Sequence, residues 1–244
     1  MSDFHLRRTL ESGQLFRWRY DDAGALICHR DRLFYVDDDG RTDYAEAGYF
    51  FRDDQPKLIH EHQYVRRSLE AAKGLRIVRQ DPWECLVTFI ISQNNNLKRI
   101  TKNIEALTRK YGKPISNGFY TFPLPEELGT EEELKQLGLG YRARYVAKLK
   151  DLDLDWLNNL KKLSYTEAKD RLMTLEGVGP KVADCVLLFS LGFDEAYPED
   201  TWMKKVFKET SLTRESLGDK AGLYQQFLFH ARRSSSRNRS EKQR

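Results

Sequence analysis

A tight turn with two glycines and one proline, the LEGVGPK segment at residues 175–181, constrains the fold of this chain more than any other feature. An apolar repeat at helical spacing, which runs from Ala168 to Leu175, stops at Gly177, where a helix C-cap is expected. Pro180 suits the first turn of a second helix because its nitrogen has no hydrogen to leave unpaired. The sequence therefore predicts two helices joined by a short turn.

The start of the second helix carries a cation in an unfavourable place. Lys181 lies where the helix dipole disfavours positive charge, and the same field, together with burial, favours the uncharged amine that acts as a nucleophile. Asp200 follows nineteen residues later and can equally be the N-cap of a helix that begins at Thr201. Taken alone, the pair leaves chemistry and helix capping equally open.

The backbone of the turn forms a second candidate site. The amides of Gly177, Val178 and Gly179, next to the positive end of the following helix, suit one phosphate group of a nucleic acid. Glycine also permits backbone conformations that other residues avoid. We therefore expect this hairpin to bind an anion.

Strand-like segments precede helical ones along the chain. Residues 1 to about 55 favour strands, with 25–28 and 32–36 separated by a short turn, and Gly40 and Gly48 mark breaks between further β-like segments. Helical spacing then predicts helices at 57–73, 82–92, 96–111, 131–137, 142–150, 165–175, 181–192, 201–209 and 219–232. This order predicts an α+β fold, with a small N-terminal antiparallel sheet domain followed by a helical body that contains a helix-hairpin-helix motif.

The predicted domains divide the charge unevenly. We place the sheet domain with a linking helix at 1–80, the helical body at 81–231 and a basic, disordered tail at 232–244. The tail has six basic residues and one acidic residue, a balance of +5, whereas the whole chain carries +4, which leaves 4 − 5 = −1 for residues 1–231. A phosphate-binding surface on the body must therefore be local, although the tail can add salt-sensitive affinity for nucleic acid.

Four segments in one order resemble a known protein family. The hairpin segment, with Asp200 downstream, resembles the helix-hairpin-helix DNA glycosylases, and within them the 8-oxoguanine DNA glycosylase/AP lyase family. The likeness continues in ESGQLFRW at 11–18, in DPWEC and SQNNN within 81–96, and in LGYRARY at 139–145. It spans residues 10 to about 230. The resemblance implies a bifunctional enzyme of base-excision DNA repair that removes 8-oxoguanine opposite cytosine and nicks the strand by β-elimination.

The resemblance assigns the chemistry to two side chains. Lys181 corresponds to the nucleophile that attacks the sugar C1′, expels the damaged base and leaves a Schiff base to the DNA. Asp200 corresponds to the catalytic carboxylate, which stabilises positive charge at the sugar or positions Lys181. Both activities of the family, glycosylase and lyase, are implied by this pair.

A pocket for the extruded base is also implied. The Gly13 carbonyl corresponds to the acceptor for the N7 hydrogen that 8-oxoguanine has and guanine lacks. Phe229 and Cys185 correspond to the groups that pack on the two faces of the base, and Gln225 to the amide that reads its pairing edge. From spacing alone, Phe229 and Cys185 would be core residues and Gln225 a surface residue.

Contacts to the opposite strand are implied at Asn94, Arg99 and Arg142, which correspond to the residues that hold the orphaned cytosine. Tyr141 corresponds to an aromatic wedge that fills the gap left by the extruded base. One of the three adjacent asparagines is also expected to cap the helix that follows. Trp202 stands where many family members have a phosphate-contacting histidine, so that role is not assigned.

The resemblance implies a monomer that acts on damaged double-stranded DNA without an organic cofactor. Three dispersed cysteines cannot supply the iron–sulfur cluster that endonuclease III-like and adenine-mismatch glycosylases commonly hold, and no cluster of His, Cys and carboxylates suggests zinc. The sequence contains neither an apolar run of membrane-spanning length nor a signal-peptide core. We therefore expect an intracellular protein of the cytoplasm or nucleoid, or of the nucleus in a eukaryote, with no membrane association.

Two other functions are open from the sequence. An alkylpurine glycosylase on the same fold acts through the aspartate without a hairpin lysine, so Lys181 argues against it. A non-catalytic helix-hairpin-helix DNA-binding module would use Lys181 only to contact phosphate. Asp200 and the residues expected in the base pocket argue against that module.

Overall fold

Three antiparallel strands form a sheet near the N-terminus, in the order β1-β2-β3. The computed structural model describes residues 4–241, with side chains described through residue 234. The strands are β1 (Trp18–Asp21), β2 (Gly24–His29) and β3 (Arg32–Asp37). Arg30 and Asp31 form the turn between β2 and β3, and Arg30 has a φ of 57°. The predicted antiparallel sheet is confirmed.

The segment after β3 differs from the prediction. Beyond Gly40 it contains no strand in the described residues, so the expected further β-like segments are wrong, and it forms the short helix α2 (Ala47–Phe50) instead. Phe50 is fully buried, with its ring 5.7 Å from that of Phe34 on β3. The aromatic side chains of this segment therefore cover the sheet and do not extend it. Another short helix, α1 (Leu6–Leu10), precedes the sheet.

Ten further α-helices follow in the described range. They are α3 (Gln63–Ala71), α4 (Pro82–Ser92), α5 (Leu97–Tyr111), α6 (Glu131–Gln136), α7 (Arg142–Ala147), α8 (Leu154–Asn159), α9 (Tyr165–Met173), α10 (Pro180–Val186), α11 (Thr201–Glu209) and α12 (Ala221–Glu241). A π-helical turn at Leu187–Leu191 continues α10. The helix predicted at 57–73 begins only at Gln63, where His62 caps it by accepting from the Tyr64 amide. No helix is predicted at α8, although Asp153 caps it.

Helix α4 is the centre of the helical body. All its residues from Pro82 to Ile91 are buried, and it packs on α5, α7, α8 and α10. The Asp81 carboxylate caps it by accepting from the Glu84 amide at 3.0 Å. A helix that is apolar on every side is stable only when other elements surround it. The packing of α4 therefore fixes α10, which carries the candidate nucleophile, against the core.

Helix α12 passes the expected start of the tail. Its backbone is helical to Glu241, and residues 242–244 lie outside the described residues, so the disordered tail from residue 232 stays a prediction. Arg232 Nη2 is 2.7 Å from Glu209 Oε1 on α11, and Arg233 Nη1 donates to the Glu11 carbonyl at 3.0 Å. These contacts hold residues 232 and 233 of α12 against α11 and the turn after α1.

A buried ion pair joins the sheet to the helical body. Arg17 Nη1 lies 2.6 Å from Glu84 Oε2, and both side chains are buried. Arg17 also donates to Cys28 Sγ at 2.8 Å and to the Tyr120 carbonyl. The sheet and the body nonetheless have separate apolar clusters. The domain boundary after residue 80 stays a prediction.

Candidate active site

The predicted hairpin lies between α9 and α10. Gly177 has a φ of +85°, which favours glycine, and the Val178 amide donates to the Leu175 carbonyl at 3.0 Å. Helix α10 begins at Pro180, and its N-cap Gly179 provides no side-chain cap. The prediction of two helices joined by a short turn is confirmed. Of the three turn residues, Val178 has a buried side chain and Gly179 lines an open groove.

Lys181 and Asp200 line one recess at the end of this groove. Lys181 is half-buried, and its Nζ lies 5.4 Å from the centroid of the Phe89 ring. Asp200 Oδ1 accepts from the backbone nitrogens of Trp202 and Met203, both at 2.9 Å, so Asp200 does cap α11. Burial raises the pKa of the Asp200 carboxyl, while the Met203 amide and the charge of Lys181 act in the opposite direction. The Asp200 carboxylate therefore caps α11 and also lies near the Lys181 amine.

The recess takes its walls from distant parts of the chain: the turn after α1, α4, α10, the segment before α11, and α12. Its lining residues are Ser12, Gly13, Phe89, Lys181, Cys185, Phe189, Pro198, Asp200, Gln225, Gln226 and Phe229. Both predicted catalytic residues and all four predicted base-contacting residues are thus brought together. The stacked rings of Phe89 and Phe189, with centroids 5.5 Å apart, were not expected there, because nothing in sequence distinguishes them from other core aromatics.

Gln225 is a buried residue of the recess, with 3% of its surface exposed. Its Nε2 donates to the Pro198 carbonyl at 3.1 Å, and its Oε1 has no hydrogen-bond partner among the described residues. A buried amide with an unused acceptor suits a polar ligand that donates a hydrogen bond. The expectation of a surface position from spacing alone is wrong, because the segment before α11 covers this face of α12.

Cys185 lies one helical turn after Lys181 on α10 and is 2% exposed. Burial raises the pKa of its thiol to about 11, and the charge of Lys181 opposes that shift. The thiol is therefore protonated at neutral pH and packs as a small apolar group. Cys185 is therefore both a core residue and part of the wall of the recess.

Gly13 enters the recess with a φ of +86°. A Cβ atom at this position would lie 3.4 Å from Arg233 Nη1 and 3.8 Å from Phe229 Cε1, which are ordinary packing distances. Backbone conformation, and not lack of space, therefore requires glycine here. Gly13 is therefore both a turn glycine and a residue that lines the recess.

Arg142 is buried at the start of α7, with 4% of its surface exposed. Its Nε donates to the Gln93 carbonyl at 2.7 Å, and its Nη2 donates to the Asn94 carbonyl at 2.8 Å. Gln93 Nε2 in turn donates to the Gly177 carbonyl at 3.0 Å. Arg142 therefore holds the loop between α4 and α5, and that loop contacts the hairpin.

The other residues expected at the opposite strand are more accessible. Asn94 and Tyr141 line the groove, and Tyr141 is 51% exposed. Arg99 is exposed on the first turn of α5. Asn96 Oδ1 accepts from the Arg99 backbone nitrogen at 3.0 Å, so the expected asparagine cap is confirmed.

The recess offers an amine, a carboxylate, a buried amide and an aromatic ring to a ligand. Such a set supports nucleophilic attack next to an electrostatic stabiliser of positive charge. Within the described residues, no group of three or more His, Cys, Asp or Glu side chains is placed to hold a metal ion. In the same part of the chain, no helix combines the length and apolar character needed to cross a membrane.

The chain is similar in sequence to N-glycosylase/DNA lyases. It is 30% identical over 256 residues to an N-glycosylase/DNA lyase of Saccharomyces cerevisiae, a match that covers 85% of this chain and 68% of that protein. It is 32% identical over 215 residues to a probable N-glycosylase/DNA lyase of Methanothermobacter thermautotrophicus, with 71% and 69% of the two chains covered. No protein-family model matches the chain.

The chain is also similar to solved structures of DNA glycosylases. MBOgg1 in complex with a low-affinity DNA ligand superimposes with a TM-score of 0.86 and 32% identity, over 97% of this chain and 94% of that chain. The Clostridium acetobutylicum 8-oxoguanine glycosylase/lyase, in complex with double-stranded DNA containing cytosine opposite 8-oxoguanine, matches with a TM-score of 0.86 and 28% identity, over 96% and 93%. A 3-methyladenine DNA glycosylase of Archaeoglobus fulgidus shares the fold, with a TM-score of 0.66 and 18% identity over 95% and 96%.

Proposed function

The chain belongs to the family of 8-oxoguanine N-glycosylase/DNA lyases, and from that membership we propose that it is a base-excision repair enzyme for 8-oxoguanine opposite cytosine in double-stranded DNA. The proposed reaction removes the extruded base and then nicks the strand by β-elimination through a Schiff base. One observation carries this proposal: Lys181 and Asp200 meet at one recess with Gly13, Gln225 and Phe229.

Lys181 is the proposed nucleophile. Its uncharged Nζ attacks the sugar C1′, the bond from C1′ to the base breaks, and the electron pair leaves with the base, which takes up a proton. Opening of the sugar ring and loss of a proton from nitrogen then give an imine between Nζ and C1′. The imine acidifies the C2′ hydrogen, whose removal expels the 3′ phosphate and nicks the strand.

Asp200 is the proposed electrostatic partner of this step. Positive charge develops at the sugar as the bond to the base breaks, and a fixed carboxylate stabilises it. The amides of Trp202 and Met203 already hold Oδ1, so the carboxylate needs no reorganisation during the reaction. Because burial raises the pKa of Asp200, we expect the acidic limb of the activity profile to lie at a higher pH than for an exposed aspartate.

The extruded base is proposed to lie between the walls of the recess. Phe229 stacks on one face of the proposed base, and the protonated Cys185 thiol packs against the other. The unused Oε1 of Gln225 accepts from a hydrogen-bond donor on the pairing edge. The Gly13 carbonyl accepts the N7 hydrogen, which is the feature that separates 8-oxoguanine from guanine.

The groove outside the recess is the proposed DNA surface. The Gly179 amide and the start of α10 suit a phosphate, and the exposed ring of Tyr141 suits the gap in the stacked bases. Asn94 and Arg99 are the proposed direct contacts to the orphaned cytosine. Arg142 acts on the same base through the loop, since its guanidinium holds the carbonyls of Gln93 and Asn94.

A covalent trapping experiment tests the proposal. The protein is incubated with a duplex that contains one 8-oxoguanine opposite cytosine, borohydride is added, and the covalent adduct is quantified. We expect an adduct with the native protein, no adduct with Lys181→Gln, and an undiminished adduct with the control Lys208→Gln, whose side chain is exposed on α11. An undiminished adduct with a folded Lys181→Gln would contradict the lysine assignment.

The same experiment separates the alternatives. The 8-oxoguanine duplex contains no alkylated base, so an alkylpurine glycosylase without a lysine nucleophile would neither release 8-oxoguanine nor form a trapped adduct, but it would release the base from a second duplex that contains an alkylated purine. A non-catalytic DNA-binding module would bind the duplex and release nothing. Release of 8-oxoguanine together with trapping at Lys181 agrees only with the bifunctional enzyme.

A further inference from the structure

Two side chains of α12 hold the turn that carries Gly13. Gln226 is buried, with 3% exposed, and its Nε2 donates to the Ser12 carbonyl at 3.1 Å. Arg233 Nη1 donates to the Glu11 carbonyl at 3.0 Å. The two carbonyls immediately before Gly13 are therefore both fixed by the last helix of the chain, more than two hundred residues away in sequence.

The same helix carries the opposite wall of the recess. Gln225 and Phe229 are four residues apart, about one helical turn, and Gln226 and Arg233 are seven apart, about two turns. All four therefore lie on neighbouring stripes of one helix face. Gln225 and Phe229 line the recess, Gln226 both lines it and holds the Gly13 turn, and Arg233 holds the turn, so α12 determines the separation between the two walls.

Gly13 lies directly against this helix. A Cβ atom on Gly13 would be 3.4 Å from Arg233 Nη1 and 3.8 Å from Phe229 Cε1. Among the described residues, the Glu11 and Ser12 carbonyls accept side-chain hydrogen bonds from α12, while no such bond reaches the Gly13 carbonyl. These two hydrogen bonds, which we call the α12 clamp, therefore fix the turn and leave the Gly13 carbonyl available to a ligand.

Gln14 holds the rest of the turn through hydrogen bonds that do not involve α12. Gln14 is fully buried, its Nε2 donates to Ser12 Oγ at 2.9 Å, and its Oε1 accepts from the Val78 amide at 2.8 Å. These bonds fix the turn to the segment before α4 whether or not α12 holds it. Loss of the α12 clamp should therefore shift Gly13 without unfolding the turn.

We propose that Gln226 and Arg233 are positioning residues that set the place of the Gly13 carbonyl relative to Phe229, and thereby the discrimination between 8-oxoguanine and guanine. This inference rests on the proposed function, in which the recess receives the extruded base. A displacement of about 1 Å is enough to spoil a recognition hydrogen bond. Neither side chain needs to touch the base for this effect.

The test compares two substrates of one protein. Gln226→Leu and Arg233→Met remove the donors, Arg233→Lys restores a charged donor, and Arg232→Met, whose native side chain pairs with Glu209, is the matched control on the same helix. Single-turnover rates are measured on duplexes with 8-oxoguanine, with guanine, and with a preformed abasic site. The abasic duplex has no base for Gly13 to read, so its cleavage reports Lys181 and DNA binding alone.

We expect Gln226→Leu and Arg233→Met each to lower the ratio of 8-oxoguanine to guanine excision by about tenfold, and to slow 8-oxoguanine excision more than abasic-site cleavage. Arg233→Lys should recover much of the loss, and Arg232→Met should equal the native protein. Equal losses on the 8-oxoguanine and abasic duplexes, or an unchanged ratio, would overturn the proposal. Failure of the native protein to cut any duplex would instead reject the proposed function.

Discussion

Gly177 approaches the ring of Tyr145 so closely that a Cβ atom on Gly177 would lie 2.3 Å from Tyr145 Cγ. The contact locks the hairpin turn against α7, which also carries Arg142. Gly179, two residues later, has nothing within 4 Å of the corresponding position and a φ of −90°. The two glycines of the motif therefore have different physical roles.

Alanine at the two positions should separate stability from DNA binding. Gly177→Ala forces a positive φ on an L-residue and a clash with Tyr145, so we expect the free energy of unfolding to fall by at least about 2 kcal/mol. Gly179→Ala should change it by less than about 0.5 kcal/mol, yet weaken DNA binding if the Gly179 amide contacts phosphate. Chemical denaturation and binding assays on both variants measure these effects. Equal destabilisation by the two substitutions would contradict the assignment.

Asp200 has a capping role and a proposed catalytic role that two substitutions distinguish. Asn caps as well as Asp, so Asp200→Asn should retain stability, whereas Asp200→Ala should cost about 1 kcal/mol. Both should slow single-turnover base excision by about 100-fold or more, because neither supplies the negative charge. DNA binding should change little. A large loss of binding by Asp200→Asn with normal chemistry would refute the catalytic role.

Phe229→Ala tests the stacking wall of the recess. The loss of stacking should weaken binding to duplex that contains 8-oxoguanine by about 1 to 3 kcal/mol. Binding to abasic duplex should be unaffected, since that ligand has no base to stack. Titration of both duplexes gives the comparison. If neither affinity nor rate changes on the lesion duplex, Phe229 is only a core residue.

The ion pair between Arg17 and Glu84 should contribute to stability through its burial. Arg17→Met leaves the Glu84 carboxylate buried without its partner, and we expect a loss of about 3 to 5 kcal/mol. The double variant Arg17→Met/Glu84→Gln should lose less than the sum of the single variants, because it removes both charges. Urea unfolding of the three variants measures the coupling. Strictly additive losses would show that the pair is not coupled.

We predict that acid lowers the stability of the protein through His29, which is buried on β2. Burial lowers its pKa to about 4, from an ordinary value of about 6.5. Between these values His29 binds more protons in the unfolded chain than in the folded one, so this residue alone should lower the free energy of unfolding by about 3 kcal/mol as the pH falls from about 6.5 to about 4. Urea unfolding across this range measures it.

The control for this prediction is His29→Phe, which cannot titrate and keeps a ring near Phe50, whose ring lies 4.9 Å from that of His29. Burial also lowers the pKa of His230 to about 4, so the informative quantity is the difference between the two pH slopes. The slope of His29→Phe should be shallower by the contribution of one buried histidine. Identical slopes would remove His29 as the cause.

Local signals in the sequence were sufficient for the hairpin and for most helices. Glycine and proline at fixed positions end one helix and start the next, and capping side chains such as Asp81 and Asn96 mark the starts of α4 and α5. These features act over a few residues, so spacing alone predicts them. The short helix α2 escaped prediction because its aromatic residues are stabilised by contacts with residues distant in sequence, such as Phe34 of the sheet and Arg79.

The sequence by itself determined the α+β order, the hairpin and the resemblance that singled out Lys181 and Asp200. Only the tertiary structure decided that Gln225 is buried, that Arg142 points its donors at a loop, and that Gln226 and Arg233 clamp the Gly13 turn. Those facts depend on contacts between residues far apart in the chain. Periodicity and turn chemistry report only on residues that are close in sequence. The recess instead depends on the packing of the turn after α1 against α12.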